Sequence, residues 1–321
     1  MAVLTSRSDV PEELGPGKAW GDFVQENRPR FERTMGVPVG KLLGCGYFGC
    51  VFESSPPWVV KFTRDDTEGD VWSVMAELLA DPEVTDELGA FLRVRDVARI
   101  LPDVVFDDEE MPVFGIVREE ALPVLYSPHI ATEETLRRLG ITTAMLESAN
   151  ISPESPSMRQ IAESLGAFPA RERRATEELL VVLAALQHYR KHALVFSEWR
   201  GRLTHRDYGG LGREEAEDIA DEAFRQMLGT IDVMRGEGYV NRFGDVIGQT
   251  LAASVNFGDL VFRDLHLFNV GWRMHTDIDR DSRPDSMVIL DPGAMATPYS
   301  PEVREVELAA NKARASLRSR P

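Results

Sequence analysis

Between Val37 and Phe62 the apolar positions come in short runs broken by glycine and proline. "VGKLLGCG" and "CVFES" flank a glycine cluster, "SSPP" interrupts the pattern, and "WVVKFT" follows as a β-branched and aromatic run. Such runs separated by turn residues predict strand, glycine turn, strand, turn, strand. In "EGDVWSVMAELLA", residues 68–80, Val71, Val74, Met75, Leu78 and Leu79 recur at helical spacing, which predicts an amphipathic helix. "MPVFGIVREEALP" from Met111 reads as a further buried strand running out into a polar connector. Beyond Ala121 the period lengthens. "RATEELLVVLAALQHYRKHALVF" and "GREEAEDIADEAFRQMLGTIDVMRGEG" are long helical patterns, and "FNVGW" and "SMVIL" bracket "RMHTDIDRDSRPD" as a hairpin with a long loop. There is no repeat period and no low-complexity tract. The expectation is an α+β chain: an N-terminal extension over 1–36, a small β-rich lobe with one main helix over 37–120, and a larger helical lobe over 121–321 with an insert at about 125–255.

Composition narrows the function classes. A chain of 321 residues can hold one large domain or two lobes, each with its own core. A net charge of -17 argues against nucleic-acid binding and against docking on an anionic membrane, since both need a basic surface. No window is long and apolar enough for a membrane span, and no basic segment followed by an apolar run opens the chain, so a cytoplasmic protein is expected. Lysine is scarce: Lys18, Lys41, Lys61, Lys191 and Lys312 are the only ones, so a lysine inside a motif stands out. Cys45 and Cys50 fall in one short loop and are read as neither a metal-ligand set nor a disulfide framework, which suits a reducing location, with joint oxidation of the two close thiols as the lesser alternative.

The loop holding those cysteines carries the first candidate chemistry. Gly44-x-Gly46-x-x-Gly49-x-Val51 lacks Cβ atoms where backbone N–H groups would approach phosphate oxygens. A dinucleotide fold would place a helix directly after such glycines, whereas strand pattern lies on both sides here. Lys61 follows within "WVVKF"; an ammonium on a strand beneath the loop can neutralise phosphates if an acid holds it. Glu77 on the predicted helix is the expected partner. Glu68 is the reserve, because an acid at a helix start is common for dipole reasons alone.

Two Arg-Asp pairs compete as the seat of catalysis. Phosphoryl transfer needs an acid to accept the proton of the attacking hydroxyl, a metal-binding amide a few residues on, and a second metal-binding acid on a neighbouring strand. His205-Arg206-Asp207 fails: Gly212 stands where the amide is needed and no strand follows, so Asp207 reads as a turn or helix-entry residue. Asp264 passes, with Asn269 five residues on, an apolar strand after it and Asp291 at the end of "SMVIL". "DIDRDSRPD" from Asp277 has the alternating acids of a calcium loop but lacks its glycine and its bidentate glutamate, and reads as a solvated loop.

Taken in order, the glycine loop, Lys61, Glu77, Asp264, Asn269 and Asp291 resemble the protein-kinase-like superfamily over about residues 37 to 121 and 258 to 293. The resemblance implies a two-lobe fold that uses ATP and Mg2+. It places Gly44, Gly46, Gly49 and Val51 over the nucleotide, Lys61 on its α and β phosphates with Glu77 as brace, and Asp264 as the catalytic acid. Asn269 and Asp291 match the magnesium ligands. The connector Arg118 to Ala121, with Glu119 and Ala121 at its centre and end, resembles the hinge that binds adenine. His266 stands where many protein kinases have lysine and is expected at the transferred phosphate. Arg263 would bind a phosphate on the segment with Thr297, Tyr299 and Ser300, or form a structural ion pair. Phe262 replaces the usual histidine of the catalytic loop, and Pro292 the phenylalanine after the metal-binding aspartate, restricting the backbone there. About 140 residues separate the hinge from Asp264 and 28 follow Gly293, lengths similar to small-molecule kinases of the aminoglycoside and choline type. The expected partners are ATP and a hydroxyl-bearing acceptor, protein or small molecule, with a protein serine or threonine favoured by the glycine loop.

Overall fold

Alternation of side chains along the strands gives the first sheet two different faces, and each face recruits its own helices. The computed structural model describes residues 15–46, 49–80, 88–100, 105–106, 109–110, 112–126, 129–236, 241–258, 261–262, 265, 267–274, 287–291 and 295–296. The chain is an α+β protein of two units: Met1–Leu79 with Arg93–Glu120, and Ala80–Leu92 with Ala121–Pro321. In the first unit α1 (Gly15–Glu26) and α2 (Arg28–Met35) precede β1 (Leu42–Cys45), β2 (Gly49–Glu53), β3 (Trp58–Thr63) and α3 (Asp66–Leu78). Next come β4 (Val94–Ile100), a two-strand pair of β5 (Val105–Phe106) with β6 (Glu109–Glu110), and β7 (Val113–Glu119). The main sheet is antiparallel throughout, in the order β1-β2-β3-β7-β4.

One face of that sheet presents Cys50, Phe52, Val60, Phe62, Val113 and Val117 to Trp20, Val24, Phe31 and Met35 of α1 and α2. The N-terminal extension expected over 1–36 therefore contributes to the core through Trp20, Val24, Phe31 and Met35. Trp20 and Val24 are four residues apart on α1 and Phe31 and Met35 four apart on α2, so each pair shares one helix face, and each such side chain contributes roughly 1.5–3 kcal/mol when buried. Trp20 also donates its indole N–H to the Phe62 carbonyl at 3.2 Å. The opposite face, reached by the alternate residues Lys61, Phe114, Ile116 and Arg118, carries α3. Gly69 lies so close to Phe114 that a Cβ there would sit 2.1 Å from the ring.

The second unit opens with β8 (Ala121–Pro123) and continues through α4 (Glu133–Leu139), α5 (Thr143–Ser148), α6 (Met158–Glu163), α7 (Ala170–His205), α8 (Arg213–Arg235) and α9 (Asp245–Gly258). It closes with β9 (Val261–Phe262), β10 (Val270–Arg273), β11 (Met287–Ile289) and β12 (Met295–Ala296). The two long patterns expected as helices are α7 and α8, which pack together with Phe196 against Phe224 at 5.1 Å. "FNVGW" and "SMVIL" do form an antiparallel hairpin, β10 with β11, and β8 adds a third strand on the other side of β10. Local chemistry sets the helix ends. Thr132 caps α4 by accepting from the Thr135 N–H, Glu133 and Glu134 occupy the first turn, and Gly140 closes it at φ 75°.

Residues 80–92, expected inside the β-rich lobe, belong to the second unit. The reason is visible in the hydrogen bonds of its described part. Ala90 N–H donates to Thr250 Oγ1 at 3.0 Å, Ile289 N–H donates to the Ala90 carbonyl at 2.7 Å, and Arg273 reaches the Gly89 and Phe91 carbonyls. Leu88, Ala90, Phe91 and Leu92 are buried there. Among the described residues no helix is long and apolar enough to cross a membrane.

Candidate functional site

Lys61 sits mid-strand in β3, paired with Val51 on one side and Ile116 on the other. It is 8% exposed, and its ammonium donates to Glu68 Oε1, itself in a residue 5% exposed. A buried charge pair of this kind persists only when each partner answers the other. Glu77, expected as the brace, is exposed and nine residues further along α3, about 13 Å up the axis and on the opposite side of the helix. The brace is Glu68. Only Arg64 and Asp65 separate β3 from α3, so the first helical turn is what lies within reach of the lysine. Asp65 caps that turn, accepting from the Glu68 N–H at 3.3 Å, which sets Glu68 at the third helical position. The signal is the Asp65-x-x-Glu68 spacing of a capping box, which places Glu68 in the first helical turn.

The glycine turn lies against the same lysine. A Cβ at Gly49 would come 3.1 Å from Lys61 Cε and 2.9 Å from the Phe62 carbonyl, so the third glycine is required by close approach. Gly46 N–H donates across the turn to the Gly49 carbonyl at 2.8 Å, while added Cβ atoms at Gly44 and Gly46 would meet little. Val51, two residues beyond Gly49, lies directly across from both Gly44 and Lys61 in the ladder. The cysteines of this loop are not free thiols. Cys45 and Cys50 are joined in a disulfide with Cα atoms 4.1 Å apart, contrary to the expectation, because the β1/β2 register sets them directly opposite each other.

At the connector, Arg118 is buried with its guanidinium 5.8 Å from the Trp72 ring centre of α3. Glu119 is 1% exposed; its N–H donates to the Arg93 carbonyl at 2.9 Å and its carboxylate accepts from the Arg93 N–H at 3.4 Å. Glu120 N–H donates to the Pro57 carbonyl. The amides of Glu119 and Glu120 are thus engaged within the sheet unit. Ala121 begins β8 in the other unit and pairs with Arg273.

In the second unit the register brings two of the expected metal ligands together. Val270 pairs with Ile289, so Asn269 and Asp291 stand at the same end of the β10/β11 hairpin, and Leu290 N–H donates to the Asn269 carbonyl at 2.8 Å. An amide oxygen and a carboxylate are the hard donors that magnesium prefers. Among the described residues no group of three or more His, Cys, Asp or Glu side chains is arranged to hold a metal. Asp264 and His266 lie outside the described residues, as do Arg263, Pro292 and the segment from Asp277 to Asp285. Their neighbours are deeply packed: Val261, Phe262 and Leu265 are buried, and Phe262 meets the ring of Phe91 at 5.1 Å. Phe262 therefore serves as a core residue where the resemblance expects a histidine. Burial holds the nearby Tyr189 phenol well above its usual range.

The rejected His205-Arg206-Asp207 triplet ends α7. Arg206 is the left-handed residue after the helix at φ 56°, and Asp207 is exposed and accepts from the Gly209 N–H at 3.2 Å in a local turn. Compared with family models, curated proteins and solved structures, the chain matches none.

Proposed function

We propose that this chain is an ATP-dependent phosphotransferase that moves the γ-phosphoryl group to a hydroxyl, with a protein serine or threonine as the acceptor. One observation carries the reading: a buried lysine lies against the third glycine of a β-hairpin turn and is held by a buried glutamate. An ammonium held in this way, against a glycine of the turn, suits the oxygens of a nucleotide's phosphates. On this reading the sheet unit and the helical unit are the two lobes of a protein-kinase-like fold. Glu68 takes the bracing role that the resemblance gives Glu77. Asp264 accepts the proton of the acceptor hydroxyl as its oxygen attacks the γ phosphorus and the bond to ADP breaks. Asn269 and Asp291 would hold magnesium, which when bound neutralises charge on the phosphates.

A small-molecule acceptor is the second reading, favoured by the helices α4 to α9 that fill the chain between β8 and β9. The test is transfer from radiolabelled ATP with magnesium, to a generic protein acceptor and to a panel of small alcohols. Asp264→Asn should lower transfer about 10²–10⁴-fold while Asp207→Asn leaves it unchanged. Label in protein selects the first reading and label in a small alcohol the second. ATP binding with no transfer across the whole panel would overturn both in favour of a nucleotide-binding scaffold.

A further inference from the structure

The cysteine pair is unexplained by phosphoryl transfer, yet it sits at the base of the turn that the proposed reaction uses. Cys45 and Cys50 face each other across β1 and β2, so their disulfide closes residues 45–50 into a short covalent ring. Inside that ring the Gly46 N–H is directed to the Gly49 carbonyl, 2.8 Å away, and is not offered to a ligand. The sulfurs lie behind the sheet, on the α1 side. Cys50 is fully buried in the cluster with Trp20 and Val24, and a Cβ at Gly21 of α1 would be 3.1 Å from Cys45 Sγ and 3.4 Å from Cys50 Sγ. Lys61 belongs to the alternate set of strand residues, since Cys50 is opposite Phe62 and Val51 is opposite Lys61. The bridge therefore constrains the turn without occupying space beside the lysine.

We propose that the Cys45–Cys50 disulfide is a reversible redox lock on the glycine turn, opened by a dithiol reductant, and that opening it admits the phosphates of ATP. The proposal rests on the nucleotide reading above and adds regulation of the same site. A thiolate of the reductant attacks Sγ of Cys45, the half-buried residue of the pair; the S–S bond breaks and Cys50 leaves as a thiolate that takes a proton. The reductant's second thiol then attacks the mixed disulfide, releasing Cys45 and leaving as a cyclic disulfide. Two electrons and two protons pass from the dithiol to the protein. With the covalent ring open, β1 and β2 can part at the turn and the Gly46 N–H can exchange the Gly49 carbonyl for a phosphate oxygen. A closed turn taxes ATP affinity by the fraction of time it is competent.

The experiment titrates the full chain with ATP and magnesium by calorimetry across a series of reduced to oxidised dithiothreitol, with the disulfide fraction read at each point by alkylation and intact mass. The dissociation constant should fall at least about tenfold as the disulfide is reduced, tracking the thiol count. A Cys45→Ser/Cys50→Ser variant should bind like the reduced protein and ignore the reductant. The wild-type series decides the matter even if that variant does not fold. Equal affinity in both states, tighter binding when oxidised, or failure of the pair to form a disulfide at any point overturns the lock while leaving the nucleotide reading in place. No ATP binding in either state brings down both.

Discussion

Lys61 and Glu68 illustrate how much a single contact can decide. Both groups are withdrawn from water, so removing one partner takes a charge-assisted bond from the other's buried charge, whereas a surface pair would lose almost nothing. Lys61→Met should destabilise the protein by about 3–5 kcal/mol in urea unfolding. Combining it with Glu68→Gln should recover part of that loss, because both charges of the buried pair are then removed together. Glu77→Gln, at an exposed position of the same helix, should stay within about 0.5 kcal/mol. Equal losses for Glu68→Gln and Glu77→Gln would remove Glu68 from the bracing role. The cysteines make the complementary point. Their closeness in the chain leaves pairing open, and the antiparallel register of β1 and β2 is what sets them face to face.

At the scale of elements, helices dock where glycine lets them. A Cβ at Gly69 of α3 would fall 2.1–2.4 Å from the ring atoms of Phe114, which has no room to turn under a packed helix. At Gly115 of β7 the clash is with Met35 of α2, at 2.3 Å from its sulfur, near the end of a flexible side chain. Gly69→Ala should therefore cost about 1–3 kcal/mol by thermal unfolding, and Gly115→Ala distinctly less. Between α7 and α8 the pH enters. His188 bonds Thr230 across the helix pair, and the His192 ring lies 4.4 Å from that of His188. Burial first, then His188 and Lys191, hold the His192 pKa below its usual value, with Glu222 opposing. The unfolded chain thus binds the proton more readily than the folded one, and stability falls as pH drops through and below the ordinary histidine value of about 6.5. His192→Gln should flatten that part of the stability profile; an unchanged slope would assign it to other groups.

For the whole molecule, local periodicity was a good guide and contacts between distant segments were not. The strands around the glycine turn, the helix after Lys61, α7, α8 and the β10/β11 hairpin all follow from apolar spacing. The N-terminal helices are harder to read, because each buries only a pair of large apolar residues four apart, Trp20 with Val24 and Phe31 with Met35, among polar neighbours. Glu68 was ranked second because a helix-start acid has an ordinary explanation, and the decisive fact, a two-residue link between β3 and α3, lies in the precise end of a strand. Membership of residues 80–92 in the second unit could not be read locally at all. It depends on Arg273, nearly two hundred residues away, donating to the Gly89 and Phe91 carbonyls at 3.3 and 3.1 Å. Arg273→Ala should cost about 1.5–3 kcal/mol and speed hydrogen exchange at residues 88–92 while sparing β1 to β3. Uniform loss of protection would show instead that the two units unfold as one.

That excursion of the chain, out of the sheet after Leu79 and back at Arg93, governs how the protein can be divided. Neither unit is a continuous stretch of the gene product, so no single cut yields either one intact. A fragment ending at Glu120 would carry Leu88, Ala90, Phe91 and Leu92 away from the residues that bury them, and would be a sticky, aggregation-prone reagent. A workable sheet fragment needs that stretch replaced by a short polar bridge from Leu79 to Arg93, which makes loop grafting rather than truncation the route to an isolated glycine-turn domain.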